Sequence, residues 1–154
     1  MSGVTGGLNE PRILLDETFT LGECPNWDAA NNRLYWADIL NGALHALDVE
    51  TGARKTWKFE SELGCFGLTD QGRIIVALRK DIIFLDPQTD VRMPLARIED
   101  GIHSRTNDGK IGPDGAFWVG TMDDNADKQA IASLYRITAD GAVDEKITGF
   151  KISN

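Results

Sequence analysis

The sequence predicts an all-β protein assembled from repeated four-stranded units, the organisation of a β-propeller. Three observations carry this expectation. Apolar residues fall in short or alternating runs separated by turn clusters, and helical periodicity is almost absent. The same order of strands and turns recurs, with Arg33 and Arg73 standing 40 residues apart and Arg73 and Ala116 standing 43 apart. Units of roughly 40–45 residues holding four short strands are the size of propeller blades.

The elements follow in order. Arg12 to Leu15 is expected as a first short strand. Arg33–Asp38 follows as a strand, and Asn41-Gly42 supplies a hairpin turn because both residue types accept positive φ. Ala43–Asp48 returns, Glu50-Thr51-Gly52 turns again, and Arg54–Phe59 closes the unit. The second unit runs from Gly67-Leu68-Thr69 through the turn Asp70-Gln71-Gly72 into Arg73–Leu78. It continues with Ile82–Asp86 and the turn Pro87–Asp90. In the third, Ser104–Lys110 reads as a short polar turn, since Asn and Asp beside Gly are common turn residues. Pro113-Asp114-Gly115 then leads into Phe117–Gly120, and Ser133–Ile137 ends at Ala139-Asp140-Gly141. An insertion, Asp123–Ala130, reads as a solvated loop on one face. Trp27, Trp36 and Trp118 are expected between blades rather than as sugar-stacking platforms.

Composition narrows the function classes. A chain of 154 residues, 42% hydrophobic and 26% charged, suits one globular domain. A net charge of −8 argues against a nucleic-acid partner, which needs concentrated Lys and Arg. No run reaches the roughly 20 apolar residues of a membrane span. Residues 1–11 lack the basic and apolar parts of a signal peptide and read as a flexible tail, leaving 12–154 as the folded part. Cys24 and Cys65 read as free thiols of a cytoplasmic protein. His45 and His103 are too few and too far apart for a histidine-based zinc site, and His103 is left out of the candidate site. No Gly-x-Ser-x-Gly nucleophile motif is present. About three blades fit in the chain, whereas closed propellers hold roughly four to eight. The expectation is therefore the N-terminal half of a longer propeller, or else a half that closes as a homodimer.

Five stretches in order support a resemblance. Leu21-Gly22-Glu23-Cys24-Pro25-Asn26-Trp27 and Leu34–Ile39 resemble the opening of the regucalcin / gluconolactonase / luciferin-regenerating-enzyme family. Arg105-Thr106-Asn107-Asp108-Gly109-Lys110, and Pro113-Asp114-Gly115 with Trp118–Met122 and Ser133–Arg136, are similar to its central signature. Ile152-Ser153-Asn154 is similar to the start of its Ile-Ser-Asn-Gly motif. The resemblance implies a six-bladed propeller with a divalent metal, Ca²⁺, Zn²⁺, Mn²⁺ or Mg²⁺, in its central channel. It implies Glu23 and Asn154 as metal ligands and Asn107 as a residue at or beside the metal. Arg105 would contact substrate, as would Asn107, and an acidic sugar-contacting position of some members falls at Asn125. The family's Asp ligand and general base has no counterpart in this chain, so the catalytic residue itself is not assigned.

The residue types agree with these roles. Carboxylate and amide oxygens are hard donors suited to Ca²⁺, Mg²⁺ or Mn²⁺. A metal acts as a Lewis acid and lowers the pKa of a bound water, and a guanidinium fork orients oxygens. The expected activity is hydrolysis of a small sugar lactone. The alternatives are a propeller that holds calcium or a partner without turnover, and an inactive fragment; fold alone does not choose among them.

Overall fold

A computed structural model describes residues 13–154. The expected tail at 1–11 lies outside the described residues, as does Arg12, and Ile13–Leu15 form no strand. The first strand begins later, at a stretch the sequence reading did not treat as one.

Twelve strands form three four-stranded antiparallel sheets, each a sequential meander. Blade 1 contains β1 (Gly22–Asp28), β2 (Arg33–Asp38), β3 (Ala43–Asp48) and β4 (Arg54–Lys58). Blade 2 contains β5 (Leu63–Leu68), β6 (Ile74–Leu78), β7 (Asp81–Leu85) and β8 (Arg92–Arg97). Blade 3 contains β9 (Ser104–Ile111), β10 (Phe117–Asp123), β11 (Ala132–Ile137) and β12 (Val143–Phe150). No helix among the described residues is long and apolar enough to cross a membrane.

The turns have local causes. Asp48 and Asp86 each accept two backbone N–H groups of the turn that follows, from Glu50 and Thr51 and from Gln88 and Thr89. Gly42, at the β2–β3 turn, takes φ +53°, where a Cβ would lie 2.3 Å from the Ser61 carbonyl oxygen. Buried Asp38 accepts from the Thr20 and Leu21 N–H groups and from the Asn41 amide, fixing the chain as it enters β1.

Alternating apolar faces build two inter-blade cores. Between blades 1 and 2, Tyr35, Leu44 and Trp57 meet Leu63, Ile74 and Leu85. Between blades 2 and 3, Ile75, Ile82 and Phe84 meet Phe117, Val119 and Ile137. Blade 2 is thus apolar on both faces. The tryptophans are distributed differently from expectation. Trp57 is the one in a seam, stacked on Tyr35. Trp36 is buried against His45 and Phe19, Trp118 is half-buried, and Trp27 is 49% exposed. Trp27 lies late in β1, beyond a bulge that shifts the register, so the alternation read from the sequence does not carry through to it.

A second correction concerns Ser104–Lys110. It is not a turn but most of β9, the innermost strand of blade 3, with Ser104, Arg105 and Thr106 buried. The Asn-Asp-Gly sequence forms a bulge within the strand instead of reversing the chain. The insertion is largely the exposed loop expected, but Asp123 is the buried last residue of β10. It accepts from the N–H groups of Asn125 and Gln129, which hold its carboxyl below the ordinary carboxylate range.

Candidate metal and substrate site

The three inner strands share one irregularity. Opposite β2, residues 24 and 25 occupy the space of Trp36 alone, between the pairs Glu23↔Ala37 and Asn26↔Tyr35. In β5 the shift lies at Gly64, between Leu63 and Cys65. In β9, Asn107 and Asp108 face Gly120 alone. A bulge re-aims side chains and sharpens the twist, and here it recurs at corresponding points of adjacent blades. Cys24 adopts φ +53° at its bulge, a strained geometry for a residue with a Cβ.

The bulges bring distant residues to one cleft. Glu23, Cys24 and Asn26 of blade 1 line it with Asn107, Asp108 and the terminal Asn154, around a volume of about 310 Å³. Two glycines permit the close approach. A Cβ on Gly64 would lie 2.4 Å from Thr106 Oγ1, so β5 and β9 meet closely only without one. A Cβ on Gly120 would lie 2.0 Å from Ser153 Oγ. Beyond its pairing with β11, β10 takes up residues 151–153 instead. Asp123 N–H donates to the Lys151 carbonyl, Ser153 N–H donates to the Thr121 carbonyl at 3.1 Å, and Ser153 Oγ donates to the same oxygen at 2.8 Å.

Asn107 ties the site together. Its Nδ2 donates to the Ser153 carbonyl at 2.7 Å, and its Oδ1 accepts from Arg105 Nη1 at 3.2 Å. Arg105 does not line the cleft; it lies behind Asn107, buried, with Nη1 also donating to the Thr106 carbonyl. Its Nε stands 3.8 Å from Asp124, whose other oxygen accepts from Arg79 at 2.6 Å, while Arg79 also reaches Glu62. Burial pulls the Arg105 guanidinium below its ordinary value, against the carboxylates of Asp124 and Glu62. Asn125 is exposed in the loop, its amide donating to Asp123, and does not line the cleft. His103 is exposed and contributes only its carbonyl, to the Asp124 N–H.

Of the two thiols, Cys24 is part of the cleft lining and Cys65 is buried. Cys24 Sγ is 3.6 Å from both the Gly64 carbonyl and Asp108 Oδ1. Burial, then the Asp108 and Glu23 charges, push its pKa up to about 12, and burial pushes Cys65 up as well. Both are neutral thiols at pH 7. Glu23, Asn107, Asp108 and Asn154 supply hard oxygen donors among the residues lining the cleft. They fit a hard divalent cation better than a thiolate-seeking one, and they leave further positions of its 6–8-fold shell to other oxygens. No cluster of three or more His, Cys, Asp or Glu occurs among the described residues, so a cation here would depend on the amide oxygens of Asn107 and Asn154 as well. The sequence reading missed Asp108 and Cys24 as cleft residues; their signal was position, beside Asn107 and Glu23.

Three sequential four-stranded blades whose inner strands bulge at corresponding points define a propeller class. The match to known proteins is more specific. Residues 21–154 match the family model described as the SMP-30/gluconolactonase/LRE-like region, and the chain belongs to that family. It is 43% identical over 130 residues to the 6-deoxy-6-sulfogluconolactonase of Pseudomonas putida, covering 84% of this chain and 44% of that protein. Among solved structures it is similar to the calcium-binding protein regucalcin of Agrobacterium tumefaciens, at a TM-score of 0.83 and 28% identity, covering 92% of this chain and 48% of the other. The luciferin-regenerating enzyme gives a TM-score of 0.78 at 27% identity, covering 88% and 48%. The chain spans less than half the length of the curated relatives it matches.

Proposed function

We propose that this chain supplies the cation-holding and substrate-orienting part of a divalent-metal-dependent sugar lactonase. One observation carries the reading: Glu23, Asn107 and Asn154, from opposite ends of the sequence, line a single cleft with Arg105 bonded directly behind Asn107. Glu23 and Asn154 would hold the cation, with Asn107 at its edge. A bound divalent cation supplies Lewis acidity toward a lactone carbonyl and acidifies a water. Arg105 fixes the orientation of the Asn107 amide from behind the cleft wall, and its remaining N–H groups are proposed to meet ring or exocyclic oxygens of a substrate that reaches past Asn107. Asn125, next to the Asp124 that faces Arg105, is proposed to meet sugar hydroxyls. The general base is proposed to be an Asp without a counterpart in these residues. The substrate class is favoured by family membership and by the sulfogluconolactonase relative.

A second reading, a propeller that holds calcium without turnover, draws on the likeness to the calcium-binding regucalcin. Arg105 disfavours it, because a buried guanidinium beside a cation is repelled unless it also serves a substrate. Titration calorimetry with Mn²⁺ and Ca²⁺, with and without glucono-lactone, tests both readings. The expected result is a single cation site lost in Glu23→Gln and a lactone-dependent gain in cation affinity weakened at least tenfold in Arg105→Ala. Cation binding that lactone leaves unchanged would favour the second reading, and absence of cation binding would overturn both.

A further inference from the structure

Glu99 is a charged side chain left unused by the cation and substrate roles, yet its side chain is only 1% exposed. It follows β8, adopts φ +53°, and lies where blade 2 meets blade 3. Hydroxyls from three strands surround its carboxylate. Oε2 accepts from Ser104 Oγ at the start of β9. Oε1 accepts from Thr121 Oγ1 of β10 at 2.6 Å and lies 3.1 Å from the Tyr135 hydroxyl of β11. Lys80 supplies the balancing charge, with Nζ 3.8 Å from Oε2 and donating to Ser104 Oγ. An unpaired buried carboxylate is costly, so this one persists because its surroundings satisfy it.

Two of its partners lead to the cleft. Ser104 precedes Arg105, whose Nη1 holds the Asn107 oxygen. Thr121 offers its carbonyl to both Ser153 N–H and Ser153 Oγ, and the Ser153 carbonyl in turn accepts from Asn107 Nδ2. The two arms leave one carboxylate and meet again at Asn107. We propose that Glu99 is a positioning residue: through Ser104 it sets Arg105, and through Thr121 it sets Ser153 and with it Asn154. Its effect on ion and lactone binding rests on the functional reading above, whereas its hold on the two arms does not.

Glu99→Gln keeps the shape and replaces one acceptor oxygen with a donor, so at least one hydroxyl loses the acceptor for its proton. Amide hydrogen exchange on the full chain separates positioning from general stability. The reporters are Ser153 N–H and Ser133 N–H, held by the Thr121 carbonyl and hydroxyl, and Thr106 N–H, held by the Arg79 carbonyl. Glu99→Gln is expected to speed exchange at these reporters at least tenfold, and to leave amides of the blade 1–2 seam such as Ala46 and Val76 unchanged. It is also expected to weaken Mn²⁺ binding about tenfold, the scale of lost outer support around a metal site. Ser104→Ala should loosen Thr106 alone, and Thr121→Val should loosen Ser133 and Ser153 alone, which keeps the test open should Glu99→Gln not fold. Thr121→Ser, which retains the hydroxyl, should keep both protected. Uniform acceleration across the chain, or none at the reporters, would overturn the proposal. If the unsubstituted protein binds no Mn²⁺, the functional reading fails while the exchange pattern still decides the role of Glu99.

Discussion

At the scale of single residues, Cys24 shows how the site is made and what it costs. The chain must bulge after Glu23 to bring that carboxylate into the cleft, and the bulge places Cys24 at φ +53°. The same geometry sets the thiol between Asp108 and Gly64, where burial and the neighbouring carboxylates keep it protonated. A thiol whose folded pKa lies above its unfolded value of about 8.5 stabilises the fold fully below that pH, and the contribution is lost as pH rises toward about 12. Urea midpoints should therefore fall between pH 8 and pH 10.5, and fall less steeply in Cys24→Gly. The buried Cys65 titrates in the same direction and keeps part of the slope. Near pH 7 the glycine variant should lie within about 1 kcal/mol of the parent, since relief of the positive φ offsets the lost packing. Equal slopes in the two proteins would show that the Cys24 thiol is not the group responsible.

At the scale of elements, the end of β10 does two jobs. Gly120 lies flat against Ser153, and the edge beyond it carries residues 151–153 toward the cleft. Gly120→Ala places a methyl 2.0 Å from Ser153 Oγ, so residues 153 and 154 must move. Cation affinity is expected to fall about tenfold while the melting temperature drops only slightly, because the blade 2–3 core excludes Gly120. A large loss of stability with unchanged affinity would place the strain in the sheet instead. The same element explains what was legible beforehand. Strands with apolar runs bounded by turn residues, such as Arg33–Asp38 and Ser133–Ile137, were readable because aromatic and aliphatic residues between turn clusters mark strands. β1 and β9 were not, because Pro25 and the Asn107-Asp108-Gly109 run look like breakers and act as bulges. The motif residues of the candidate site could be named from the sequence, but their supports could not. Glu99 and Gly120 act through contacts 22 and 33 residues away, in Thr121 and Ser153, and no local pattern announces them.

For the whole molecule, the question is what covers blade 3. Blade 2 has apolar partners on both faces, whereas the far face of blade 3 presents Trp118, Leu134, Phe150 and Ile152 around a cleft of about 340 Å³. Ile147, opposite Leu134 on β12, is 52% exposed. This face has the composition of an inter-blade seam, and a second copy is the occupant that the 154-residue chain by itself could supply. Each copy carries a net charge of −8, so association opposes like charges and should strengthen with salt as they are screened. Light scattering should give a mass near twice 16.9 kDa, with a larger dimer fraction at about 0.5 M than at about 0.02 M salt. Leu134→Glu together with Ile147→Lys should return the chain to monomer without disturbing the two seams that flank blade 2. A monomer at every salt concentration would mean that this face is not an interface between copies. Dimers that persist in the double variant would place the contact elsewhere, for which the cleft near exposed Trp27, lined by Arg33 and Arg73, is the next surface to substitute.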